Sequence, residues 1–124
     1  MIGADTSFLI DFLKGEPHAV TWMRENQEYL CLNELVVYEF CCGRLTSRQL
    51  DQFLAFALQF PVFSLDRNAS MKASELFRGA KMKGRSIAHP DALIAGTYLA
   101  NNISRIITRN EKHFEHLPLQ TIKY

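Results

Sequence analysis

Short apolar runs alternate along this chain with longer segments of helical hydrophobic spacing, and this alternation limits the possible folds more than any other feature. The runs are too short for helices, whereas the segments between them repeat apolar residues every three or four positions. Such alternation is typical of βα units, whose strands pair in parallel. The sequence therefore predicts an α/β fold with a short, mainly parallel β-sheet flanked by helices.

Capping and turn residues set the limits of the individual elements. Asp5 or Thr6 is the predicted cap of the first helix, Asn33 caps a later helix, and Pro90 suits a first helical turn. We expect the helix over 34–42 to be buried, because it is apolar on nearly all sides. The predicted strands are 1–4, 29–32, 61–65, 105–108 and 121–122, and the predicted helices are 6–14, 17–26, 34–42, 47–60, 68–83 and 90–100.

Length and composition match one globular unit. The 124 residues are 48% hydrophobic and 22% charged, which excludes a disordered or fibrous chain, and we expect a single domain over 1–124. No apolar run is long enough to span a bilayer, and residues 1–20 lack the pattern of a signal peptide, so we expect a cytoplasmic protein without membrane contact. Cys31, Cys41 and Cys42 have no C-x-x-C spacing and are interpreted as reduced packing residues.

The charges are divided unequally between the two halves of the chain. Residues 1–62 carry four Lys/Arg and eight Asp/Glu, a net of −4, whereas residues 63–124 carry ten and five, a net of +5. One half would suit a cation and the other a polyanion. The alternative is that the halves pair their charges across one fold. The predicted polyanion contact consists of six basic residues: Arg78, Lys81, Lys83, Arg85, Arg109 and Lys112.

Three acidic residues are candidates for a metal site. Asp5 follows the first predicted strand and Asp91 lies in a first helical turn, where each would also serve as a helix cap or as an anion near the helix dipole. Glu39 lies inside an apolar stretch, where a carboxylate is costly unless it has a partner, a cation or contact with water. Clustered carboxylates raise one another's pKa and favour a divalent cation, and oxygen ligands suit Mg²⁺ or Mn²⁺.

Five motifs occur in order along the chain: IGADTS at 2–7, VYEF at 37–40, GRSI at 84–87, DALIA at 91–95 and ITRN at 107–110, followed by Phe114. Together they resemble the PIN domain family, and within it the VapC-like toxin ribonucleases. The resemblance covers essentially the whole chain. It implies the three-layer PIN fold and a metal-dependent endoribonuclease that leaves 3′-hydroxyl ends.

The resemblance also implies the roles of individual residues. Asp5, Glu39 and Asp91 match the family's acidic metal-binding residues and would hold Mg²⁺ or Mn²⁺. Together with Asn110 they would form the catalytic site. Thr6 would support the carboxylate of Asp5.

The late strand is followed by the position where this chain departs from the family pattern. Thr108 would line the pocket there, as in the family. Where many members carry a fourth acid just before the phenylalanine that matches Phe114, this chain has His113. We expect fewer carboxylates to weaken a second metal position, and His113 or Asn110 to position water.

The partners implied by the resemblance are an RNA substrate, a second copy of the chain in a homodimer, and a cognate antitoxin that lays a segment into a groove and blocks the acids. The large apolar residues of the early helices give weak support for such a groove, because most of them are expected in the core. These residues are Trp22, Met23, Phe53 and Phe56.

Three alternative interpretations remain open at this point. A catalytically silent PIN domain that binds RNA or protein is suggested by His113. A receiver-like signalling module would need an acidic pair after the first strand, where this chain has Thr6 and Ser7 after Asp5. A zinc cluster would use His113 with two other histidines, His89 and His116, but their spacing matches no helical zinc motif.

Overall fold

The computed structural model describes residues 1–124 and arranges them as five parallel strands and six α-helices. The strands are β1 (Ile2–Ala4), β2 (Leu30–Asn33), β3 (Val62–Phe63), β4 (Arg105–Ile107) and β5 (Gln120–Ile122). The helices are α1 (Thr6–Leu13), α2 (Pro17–Asn26), α3 (Glu34–Cys41), α4 (Ser47–Ala57), α5 (Arg67–Met82) and α6 (His89–Ala100). Short 3-10 turns, Gln27–Tyr29 and Glu111–His113, precede β2 and follow β4.

The sheet has the strand order β3-β2-β1-β4-β5. The chain moves outward from β1 through β2 to β3, and then crosses to the far side of β1 to form β4 and β5. Right-handed crossovers, the rule for parallel strands, place α1 to α4 on one face and α5 and α6 on the other. The predicted α/β three-layer fold is confirmed. The strand order reverses between β1 and β4, where the carboxyl ends of parallel strands leave a crevice for a ligand.

The core is centred on β1 and β2, in which every residue is buried. Tyr98 of α6 is the largest fully buried side chain, and its hydroxyl donates a hydrogen bond of 2.6 Å to the carbonyl of Ala4. The ring lies so close to Gly3 that a Cβ there would be 2.5 Å from it. Glycine at position 3 therefore allows α6 to pack directly onto the central strand.

Several sequence-based expectations are wrong in detail. The expected buried helix is largely half-exposed: Val36 is the buried residue of α3, and Tyr38 is 66% exposed, because only one side of α3 packs inward. The expected strand 61–65 shortens to Val62–Phe63, which forms an edge of the sheet. The three cysteines are unpaired, and Cys31 and the partly buried Cys41 are packing residues as expected, but Cys42 is exposed. No helix is both long and apolar enough to span a bilayer.

Candidate active site

Asp5 follows the central strand β1 directly and lies at the crevice between β1 and β4. It is only 6% exposed, and its Oδ2 accepts hydrogen bonds from the hydroxyls of Ser7 (2.8 Å) and Thr108 (2.7 Å). Asp5 occupies the N-cap position of α1, but its side chain accepts no backbone N–H there. The interpretation of this side chain as a helix cap is therefore wrong. No protein group donates to its second oxygen, Oδ1.

Glu39 lies on α3 and is half-buried. A carboxylate in such a position is costly unless it has a polar partner. The partner is Thr6, whose hydroxyl donates a hydrogen bond of 2.7 Å to Oε1 of Glu39. We expected Thr6 to support Asp5, so the structure gives this residue a different carboxylate. The neighbouring hydroxyl of Ser7, to which the sequence assigned no role, takes the place beside Asp5.

Asp91 lies in the first turn of α6, and its side chain is 16% exposed. The N-cap position belongs to Ala88, so Asp91 is not the cap of this helix. Burial raises the pKa of Asp91 above its ordinary value, the nearby His113 lowers it, and the carboxylates of Asp5 and Glu39 raise it further. Asp5 and Glu39 are thus close enough to Asp91 to affect its ionisation.

Asn33 fixes α3 and α6 relative to each other. It is completely buried, its Oδ1 accepts the N–H of Val36 at 3.0 Å, and its Nδ2 donates to the carbonyl of Ile94 at 3.2 Å. The expected cap at Asn33 is confirmed, and the second bond ties the cap to α6. One buried side chain therefore links the helix of Glu39 to the helix of Asp91.

The segment after β4 forms the other wall of the site. The backbone N–H of Asn110 donates to the Thr108 hydroxyl at 2.9 Å, and Nδ1 of His113 lies 3.5 Å from Oδ2 of Asp91. An open pocket of about 410 Å³ lies along this segment. Its lining residues are Arg109, Asn110, Glu111, Lys112 and His113. His113 therefore connects this pocket to Asp91, and the other lining residues include the basic side chains of Arg109 and Lys112.

The three acids are a candidate donor set for a divalent metal. Carboxylate oxygens from Asp5, Glu39 and Asp91 are the hard ligands that Mg²⁺ and Mn²⁺ prefer, and Oδ1 of Asp5 has no protein donor. The side chains do not form a closed coordination shell, since no group of three or more His, Cys, Asp or Glu is arranged to hold a metal ion. The donors fit in chemical type.

Comparison with known proteins assigns this fold and its ordered acidic motifs to a family. The sequence profile of the PIN domain matches residues 3–118, and the chain belongs to the PIN domain family. Ribonuclease VapC19 of Mycobacterium tuberculosis is 28% identical over 117 residues, which are 92% of each chain. The resemblance to VapC-like toxin ribonucleases that the sequence predicted is confirmed.

Solved structures share the fold at lower identity. The VapBC2 complex of Rickettsia felis, bound to a promoter DNA fragment, contains a chain with a TM-score of 0.83 and 17% identity, with coverage of 100% of this chain and 99% of that chain. FitAcB of Neisseria gonorrhoeae gives a TM-score of 0.82 and 21% identity, with coverage of 98% and 96%. At this level of identity the likeness shows that the whole chain has the same architecture.

Proposed function

We propose that the protein is a metal-dependent endoribonuclease and the toxin of a toxin–antitoxin pair. The observation that carries the proposal is the buried carboxylate of Asp5, which two hydroxyls hold and which, with Glu39, lies close enough to Asp91 to raise the pKa of Asp91. The similarity to ribonuclease VapC19 over 92% of the chain favours RNA as the substrate. An acid with a raised pKa beside further carboxylates, as at Asp91, is typical of catalytic sites.

Asp5, Glu39 and Asp91 would hold Mg²⁺ or Mn²⁺, which when bound supplies an activated water and neutralises charge on the scissile phosphate. The chain's own hydroxyls orient the acids. Ser7 and Thr108 both bind Oδ2 of Asp5 and leave Oδ1 for a ligand, whereas Thr6 fixes one oxygen of Glu39.

The hydrolysis needs water on one side of the phosphate and a leaving oxygen on the other. Water attacks phosphorus, the bond from phosphorus to the 3′-oxygen breaks, and the departing oxygen takes up a proton. The products are a 3′-hydroxyl and a 5′-phosphate. His113 lies 3.5 Å from Asp91, and the N–H of Asn110 binds the Thr108 hydroxyl, so either side chain would orient the attacking water.

The test is cleavage of single-stranded RNA by the purified protein. We expect cleavage with Mg²⁺ or Mn²⁺, none after addition of EDTA, and none from Asp5→Asn or Asp91→Asn variants that remain folded. Unchanged cleavage by either variant contradicts the assignment. Mapping of the RNA ends provides a second check, because a 2′,3′-cyclic phosphate would show attack by the ribose 2′-hydroxyl instead of water.

A catalytically silent RNA-binding domain is the second candidate, and His113 in place of an acid favours it. The imidazole lies 3.5 Å from Asp91, where a further carboxylate would add a metal ligand. RNA binding without cleavage at saturating Mn²⁺ would support this candidate. His113→Asp should then restore cleavage, and failure of that variant to cleave would argue against loss of a fourth ligand as the cause.

We propose a homodimer and a protein antitoxin as partners of this chain. Similar solved structures include VapBC complexes, and an apolar groove of about 350 Å³ lies beside the helix of Glu39. Its residues come from α1, α3 and α4: Ile10, Leu13, Lys14, Phe40, Gln49, Gln52 and Phe53. Leu13 is 44% exposed, so Leu13→Lys should weaken binding of the proposed antitoxin while RNA cleavage persists. Analytical ultracentrifugation tests the dimer.

A further inference from the structure

We infer that Tyr124, Asp11 and Arg109 form a clasp that positions the hydroxyls of Thr108 and Ser7 on Asp5. The inference deepens the proposed function and rests on it, since it assigns positioning residues for the same site. Its members come from three parts of the chain: the segment after β5, helix α1, and the segment after β4.

Asp11 is the centre of the clasp. It is an acid within the apolar helix α1 and is only 8% exposed. Oδ1 accepts a hydrogen bond from Nη1 of Arg109 at 2.5 Å, and Oδ2 accepts one from the hydroxyl of Tyr124 at 2.6 Å. A buried carboxylate is costly unless both of its oxygens are satisfied, and here each has its own donor.

Tyr124 anchors the clasp to the core. Its ring packs edge-on against Phe8, with the centroids 5.1 Å apart and the planes at 72°. Burial, followed by the neighbouring carboxylate of Asp11, raises the pKa of Tyr124 well above its ordinary value. The hydroxyl therefore remains a donor to Asp11 throughout the neutral pH range.

The backbone of Arg109 connects the clasp to the hydroxyls that bind Asp5. Its N–H donates to the hydroxyl of Ser7 at 3.1 Å, and Ser7 in turn donates to Asp5. The preceding residue, Thr108, donates directly to the same oxygen of Asp5 at 2.7 Å. Any rotation of the segment at Arg109 would displace both hydroxyls that orient Asp5. Fixing the guanidinium to Asp11 prevents that rotation.

Direct contact between Arg109 and RNA is the competing role, because its side chain is 55% exposed. The two roles differ in their kinetic signature. Loss of an RNA contact raises KM, whereas misplacement of Asp5 lowers kcat and weakens the metal without changing KM. Replacement of residues that orient metal ligands commonly costs about 10-fold to 100-fold in metal affinity or activity.

The experiment compares Tyr124→Phe, which removes one hydroxyl and keeps the ring, with Arg109→Gln and Asp11→Asn. We expect a Mn²⁺ dissociation constant raised about tenfold in Arg109→Gln, a smaller rise in Tyr124→Phe, and an unchanged KM for RNA in both. The matched control is Lys123→Met, since Lys123 is 82% exposed and pairs only with Glu111 in the same region. An increase in KM with unchanged Mn²⁺ affinity overturns the inference in favour of RNA contact.

Absence of cleavage or of metal binding would contradict the proposed function. Backbone amide exchange tests the inference even in that case. The amides of Arg109 and Asn110 bind Ser7 and Thr108, and NMR reports their exchange directly. We expect faster exchange of both in Tyr124→Phe than in the wild type or Lys123→Met. Unchanged exchange would show that the segment is held without the clasp. Tyr124→Phe removes only one hydroxyl, so it still tests the clasp if Asp11→Asn fails to fold.

Discussion

Asp91 shows how a single residue can lower stability in order to serve a site. Its side chain is largely buried, and two further carboxylates lie near it. Burial and those charges raise its pKa, which means that folding makes the charged form less favourable than it is in the unfolded chain. Such local costs are common at active sites and disappear when the residue is replaced.

Replacement of Asp91 by Asn should therefore stabilise the metal-free protein while abolishing RNA cleavage. At about pH 8, where imidazoles are mostly neutral, we expect a gain on the order of 1 kcal/mol in the free energy of unfolding. Because the folded pKa is raised, wild-type Asp91 takes up a proton first as the pH falls, and the gain should shrink toward acidic pH. Urea unfolding in EDTA measures it.

The exposed residue Asp51 provides the control for Asp91→Asn. Asp51→Asn removes the same charge from the surface of α4 and should leave the free energy of unfolding nearly unchanged. A loss of stability in Asp91→Asn at about pH 8 would show that this carboxylate is held by favourable contacts instead of opposed by its neighbours.

Single residues also show where the sequence stops being informative about the site. Motif order identified Asp5, Glu39 and Asp91, but it did not identify the partners of these acids. Thr6 and Ser7 are adjacent hydroxyls on one helix, and successive helical residues point in directions about 100° apart. Their side chains therefore reach different carboxylates, Glu39 and Asp5, and only the positions of α1 and α3 decide which one reaches which.

At the scale of elements, close packing on α5 sets the position of α6, the helix that carries Asp91. A Cβ at Gly96 would lie 2.6 Å from the backbone N and Cα of Ala73, so these two helices meet at a glycine. Backbone atoms cannot move aside as a flexible side chain can. The position of α6, and with it that of Asp91, therefore depends on the absence of a side chain at residue 96.

Gly96→Ala should destabilise the fold by roughly 1–3 kcal/mol, the usual cost of overpacking, and should also lower RNA cleavage by moving α6. The matched control is Gly79→Ala on α5, where nothing lies within 4 Å of the added Cβ. Alanine there should raise stability by roughly 0.5–1 kcal/mol, because glycine is the poorer helix former. Chemical unfolding of both variants measures the difference, and equal effects would contradict the packing argument.

Hydrophobic spacing was sufficient to predict most elements, because each helix must bury one apolar stripe. It failed for α3, where an apolar composition suggested burial on all sides but Tyr38 is mostly exposed. Composition shows which residues of a helix can be buried. The elements that pack against the helix determine which of these residues are buried. The apolar run 61–65 likewise forms only the short strand Val62–Phe63, which lies at the edge of the sheet and pairs with β2 alone.

At the scale of the whole molecule, the two oppositely charged halves meet at the site. Asp5 and Glu39 come from the acidic half, whereas Asp91 and the exposed basic segment before it come from the other. Lys83 and Arg85 are exposed and lie just before α6, whose first turn carries Asp91. A phosphate backbone crossing these two cations would be led toward the acids.

Binding of single-stranded RNA should therefore depend on salt through Lys83 and Arg85. Each phosphate contact removed should reduce the slope of log K against log salt by about 0.7, so Lys83→Gln with Arg85→Gln should lower it by about 1.4. Fluorescence anisotropy in the Asp91→Asn background, in which we expect no cleavage, measures binding alone. Arg24→Gln with Arg48→Gln removes two exposed charges from the acidic half and should leave the slope unchanged. Equal slopes for the two double variants would mean that RNA approaches the acids along another surface.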